Sequence, residues 1–101
     1  MTFEEDHRTK TLADMYGLDH QLDKLCEECE ELDSAIVQQK IDPCAKNKWA
    51  VVCEMADVIF LIRQVLYKFA IRPEAIDAVI TYKYERQLAR VRDRQNEEES
   101  S

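Results

Sequence analysis

The sequence predicts an all-α fold, with four helices joined by short connections into a bundle. Three observations carry this expectation. The 101 residues include one glycine, Gly17, and two prolines, Pro43 and Pro73, which leaves long uninterrupted segments and few turns. Apolar residues recur at spacings of three and four along most of the chain. Hydrophobic residues make up 46% and charged residues 35%, a balance that suits a folded helical protein better than a disordered one. At this length the chain is expected to form a single domain over 1–96, followed by an acidic, disordered tail at 97–101.

The first helix is short and weakly amphipathic, expected from Phe3 to about Met15 with Leu12, Met15 and Tyr16 as apolar anchors. Gly17 fits the position that ends it. Asp19 is placed to cap a second helix running to about Lys40, whose stripe reads Leu22, Leu25, Cys26, Cys29, Leu32 and Ile36. The segment KIDPCAKN, broken by Pro43, is the one obvious loop. A third helix follows from about Lys46 to Phe69. It is apolar nearly all round, with Val52, Ile59 and Leu66 pointing away from its main stripe, so it is expected to be buried on most sides. Three neighbouring helices barely cover such a surface, which implies self-association. AIRP punctuates the chain again, and Pro73 suits the first turn of a fourth helix. That helix carries Ile76, Val79, Ile80, Tyr84, Leu88 and Val91 and turns basic toward Arg94.

Composition also excludes chemistry. One glycine cannot build a P-loop or a GxGxxG cradle, so any phosphate must be held by side chains and metal. With 14 Lys and Arg against 21 Asp and Glu, the net charge of −7 repels nucleic-acid polymers. No stretch free of charge is long enough to span a bilayer, and MTFEEDHRTK is no signal peptide, so a cytoplasmic protein without membrane contact is expected. Cys26 and Cys29 have zinc-ligand spacing, and with Cys44 and Cys53 they could form a four-thiolate site. Their position on a helical stripe, with no glycine for a knuckle, favours buried free thiols instead.

The third helix contains VVCEMADVIFLI, ten apolar residues interrupted by Glu54 and Asp57. A carboxylate in such surroundings costs several kcal/mol unless it is paired, protonated or bound to a cation, and two at i and i+3 repel each other. The second helix carries Glu27, Glu28, Glu30 and Glu31. Glu28 lies on the shoulder of the stripe, Glu31 projects from the same side one turn on, and Glu30 points to solvent. Packed antiparallel, the two helices would bring Glu28/Glu31 and Glu54/Asp57 to one seam. That all-oxygen environment suits Mg²⁺ or Mn²⁺. Ion pairs of Glu54 and Asp57 with Lys83 or Arg86 satisfy the same acids, and from the residues alone both readings stay open. A di-iron centre is disfavoured, because His7 and His20 lie outside any Glu-x-x-His motif.

Glu27-Glu28-x-x-Glu31, then 22 residues, then Glu54-x-x-Asp57, resembles the EExxE…ExxD signature of the MazG-like all-α nucleotide pyrophosphohydrolases. KLCEECEEL, EMADVIFLI and YKYERQLARV resemble the flanking segments, so the likeness covers roughly residues 18 to 92. It corresponds to the small single-domain members. The resemblance implies a four-helix-bundle-like MazG-type fold and hydrolysis of a ribo- or deoxynucleoside triphosphate to the monophosphate and pyrophosphate. It implies Mg²⁺ (or Mn²⁺) held by Glu28, Glu31, Glu54 and Asp57, with Glu27 orienting water, and a homodimer or homotetramer. Lys83 and Arg86 match the basic positions that hold the triphosphate, and Trp49, Phe60 and Tyr67 are candidates to stack on the base. The rival expectation is a non-catalytic helical interaction module, with the acids in structural salt bridges.

Overall fold

The computed structural model describes residues 6–100 and is all helical over them. Asp6 is extended, and its Oδ1 accepts a 2.8 Å hydrogen bond from the Arg8 N–H, capping α1 (His7–Tyr16). The Arg8 guanidinium returns to the same carboxylate at 2.8 Å, and this bonding holds the Asp6 pKa down at about 2. Residues 1–5, which include the expected start at Phe3, lie outside the described residues. Gly17 closes α1 and opens α2 (Leu18–Ile41) with no residue between. Its φ of 85° and ψ of 164° fall in a region that only glycine adopts readily, so the α1–α2 joint depends on it. Asp19 is therefore not the cap but a first-turn residue of α2, where its charge favours the positive end of the helix.

Pro43 lies in the short turn after α2, and the Asn47 side chain donates to the Asp42 carbonyl at 2.9 Å to hold that turn. α3 (Ala45–Lys68) then runs back along α2. It ends on Ala70, whose φ of 57° is left-handed. The Ile71 N–H bonds the Leu66 carbonyl and the Ala70 N–H bonds the Tyr67 carbonyl, each at 3.0 Å, which is the Schellman pattern on a residue that is not glycine. Pro73 opens α4 (Pro73–Ser100) as expected. The acidic tail expected to be disordered from 97 instead continues the helix through Ser100, in keeping with the good helix propensity of glutamate. Residues 6–71 form one compact unit, and residues 72–100, which carry α4, form another. No helix among the described residues is long and apolar enough to cross a membrane.

Within the first unit α1 packs on α2 and α3, and α2 packs most extensively on α3. The half-buried and buried positions of α2 are Leu18, Gln21, Leu22, Leu25, Glu28, Leu32, Ala35 and Gln39. From Gln21 they step four, three, four, three, four, apart from Leu22. On α3, Asn47, Val51, Glu54, Val58, Leu61 and Val65 repeat the same alternation. Ala13, Leu61 and Val65 are the buried apolar residues, and they are joined by two buried amides, Gln21 and Gln64. At the α1–α3 contact the Asp14 carboxylate takes the Lys68 ammonium at 3.3 Å and the Tyr67 hydroxyl at 3.2 Å.

Two expectations change here. All four cysteines are exposed, so the thiols are not core hydrophobes. The buried stripe of α2 is rotated from the all-apolar reading, through Gln21 and Glu28, which leaves Cys26 and Cys29 outside it. The third helix is also less covered than expected, since Trp49, Val52, Met55 and Phe60 are exposed on this chain.

Candidate metal centre

Glu28 sits on the inner stripe of α2, seven residues and about two helical turns beyond Gln21. Glu54 occupies the matching stripe of α3, and Asp57 follows one turn later at its exposed edge. The sequence folds this way because the helices carry enough Leu, Ile and Val on either side to bury the stripe with the acids in it. One carboxylate oxygen from each of Glu28, Glu54 and Asp57 lies within 4.8 Å of the other two.

The electrostatics follow from that crowding. Burial first, then hydrogen bonding to Glu31 and the charges of Glu31, Asp57 and Glu54, push the Glu28 pKa up to about 7. Glu54 is raised as well, by burial and then by the charges of Glu31 and Asp57. Glu31 thus stands beside the other three, one turn beyond Glu28 and exposed. The Oε2 atoms of both Glu28 and Glu54 are buried with no hydrogen-bond partner. Unpartnered buried carboxylate oxygens are costly, and either a proton or a cation removes the cost.

The donor set fits a hard divalent cation. Mg²⁺ takes its oxygen ligands at about 2.1 Å, so these three oxygens, within 4.8 Å of one another, would need to close by up to roughly 1.8 Å to share one ion. Among the described residues it is these acids, and not the four cysteines or the histidines, that gather into a group able to hold a metal. A thiolate zinc site is thereby disfavoured.

The remaining expected site residues fall elsewhere. Glu27 is exposed and its Oε2 receives the Lys24 ammonium at 3.1 Å. Trp49 lies five residues before Glu54 on α3 and is 62% exposed. Phe60 is exposed, whereas Tyr67 is tied by its hydroxyl to Asp14, and burial followed by that bond raises its pKa. Lys83 and Arg86 are exposed residues of α4, in the second unit.

Sequence reasoning missed the pair of buried glutamines. The Gln21 amide donates to Gln64 Oε1, His20 Nδ1 lies 2.8 Å from Gln21 Oε1, and Gln64 Nε2 donates to the Phe60 carbonyl at 3.4 Å. The available signal was the spacing of Gln21 on the Leu25–Glu28–Leu32 stripe, which a search for apolar residues alone passes over. Comparison of the chain with protein-family models, with curated proteins and with solved structures finds no match.

Proposed function

We propose that this chain is a Mg²⁺-dependent nucleoside triphosphate pyrophosphohydrolase, similar to the MazG-like all-α enzymes. In this reading it cleaves ribo- or deoxynucleoside triphosphates between the α and β phosphates, in a cytoplasmic house-cleaning role toward the nucleotide pool. It works as a homodimer or homotetramer of four-helix-bundle-like subunits. The observation that carries the reading is the meeting of Glu28 with Glu54 and Asp57 around two buried, unpartnered carboxylate oxygens. A structural role would leave those oxygens paired with protein cations.

Glu28, Glu54 and Asp57, with Glu31 alongside, would hold Mg²⁺ or Mn²⁺. When bound, the cation supplies positive charge for the phosphate oxygens and lowers the pKa of water. Glu27, ion-paired with Lys24, orients the attacking water. The water oxygen bonds to the α phosphorus, the bond from that phosphorus to the α–β bridging oxygen breaks, and pyrophosphate leaves; the water proton passes to a carboxylate. The resemblance assigns neutralisation of the triphosphate to Lys83 and Arg86, a task that falls to side chains because a single glycine cannot build a backbone cradle. Trp49 and Phe60, exposed on the metal-bearing helix, are available to stack on a base.

The test is a panel of ribo- and deoxynucleoside triphosphates with Mg²⁺, its products separated by chromatography, beside Glu54→Gln. Monophosphate and pyrophosphate, lost in the variant, are expected. Diphosphate and inorganic phosphate would mean a different bond and sink the assignment. No turnover of any nucleotide would favour a helical interaction module.

A further inference from the structure

The buried glutamine pair and the acidic cluster stand in one geometric relation. Gln21 precedes Glu28 by seven residues on α2, and Gln64 follows Asp57 by seven on α3. Seven residues are about two helical turns and return to nearly the same face. The two helices run antiparallel through a short turn, so Gln21 is bonded to Gln64 in the same register that brings Glu28 to Glu54 and Asp57.

We propose that Gln21 and Gln64 are positioning residues, whose hydrogen bond locks the α2–α3 register in which the carboxylates of Glu28, Glu54 and Asp57 converge. The aliphatic part of the seam cannot do this alone. Leu22, Leu25 and Leu32 against Val51, Val58, Leu61 and Val65 are close in size and shape, and a slide or rotation exchanges one such contact for another. A buried amide has no such freedom. Gln64 is 0% exposed and Gln21 is 4% exposed, so displacement strands polar atoms in the core.

The chain of bonds is also directional. Gln21 Nε2 is committed to Gln64, which leaves Oε1 to accept, so His20 Nδ1 is the donor. Gln64 Nε2 in turn donates to the Phe60 carbonyl of its own helix. Each amide is thereby fixed in orientation as well as place, in the way a single polar pair sets register in coiled coils.

As far as metal affinity is concerned, this inference rests on the cation reading above; the register itself does not. The test compares the parent with Gln21→Leu/Gln64→Leu, which removes both amides together and leaves no polar atom stranded. Three measurements are made: thermal melting by circular dichroism, Mn²⁺ binding by electron paramagnetic resonance, and the nitroxide distance between labelled Cys29 and Cys53 with Cys26 and Cys44 changed to Ser. The expected result is a double variant that melts no lower than the parent. It should bind Mn²⁺ at least tenfold more weakly, with a label distance broadened or shifted by up to about one turn, ~5 Å. If the leucine pair fails to fold, Gln21→Met/Gln64→Met supplies the same comparison with more adaptable side chains. Unchanged Mn²⁺ affinity with an unchanged distance overturns the proposal. A parent that binds no Mn²⁺ ends the cation reading, and the label distance alone then decides the register lock.

Discussion

Glu28 concentrates the tension in this molecule. It is the acid on the buried stripe of α2, and its pKa of about 7 has burial as its first cause. The folded state therefore holds a proton that the unfolded chain, with an ordinary carboxyl near 4.5, has already lost between those two values. Because the native state binds more protons in that window, stability falls as pH rises through it. Glu54, also raised, acts in the same direction. With metal removed by EDTA, the melting temperature should decline as pH rises from 5 to 8, and Glu28→Gln should flatten that decline. Saturating Mg²⁺ should oppose it, because a ligand bound only by the folded state raises apparent stability by about 2.7 kcal/mol at a hundredfold excess over Kd. A flat profile in EDTA would mean the acids are not crowded as described.

At the scale of elements, two joints depend on positive-φ backbone angles and are occupied by different residues. Gly17 joins α1 to α2 at φ 85°, and a Cβ there meets nothing within 4 Å, so substitution is opposed by backbone conformation and not by collision. Gly17→Ala should destabilise the first unit by roughly 1–3 kcal/mol. Ala70 makes the opposite case, a left-handed residue with a side chain at the end of α3. Relief of that strain, about 1–2 kcal/mol, exceeds the extra entropy glycine brings to the unfolded chain, so Ala70→Gly should stabilise by roughly 0.5–1 kcal/mol. Chemical denaturation of both variants checks the signs. Gly17 was legible as a helix end because glycine announces such positions, whereas AIRP gave only a break, since alanine carries no signal of a left-handed cap. The exposed cysteines were misread for a related reason. Apolar spacing alone drew the stripe through Cys26 and Cys29, while the buried line runs through Gln21 and Glu28.

At the scale of the whole molecule, α3 leaves Trp49, Val52, Met55 and Phe60 exposed on one chain. Large apolar side chains contribute roughly 1.5–3 kcal/mol each when fully buried, which is the driving force for the proposed homo-oligomer. Sedimentation should find a dimer or tetramer at micromolar concentration, and Val52→Glu/Phe60→Glu should shift it toward monomer. A folded parent monomer under those conditions would remove the self-association reading.

The sequence by itself determined the helical class, the positions of the breaks near Gly17, Pro43 and Pro73, and the two acid pairs on successive helices. These are local properties: backbone freedom, proline geometry and spacing along one helix. Only the tertiary structure decided which face of α2 turns inward, because burial depends on what lies opposite and not on one helix's own hydrophobicity. The pairing of α2 with α3 made Gln21 and Gln64 core residues and brought Glu28 to Glu54 and Asp57. It also left all four thiols at the surface, and α4 continued through the acidic residues expected to fray. A carboxylate at position 28 is written in the chain; that its Oε2 is buried without a partner is a property of the packed pair of helices.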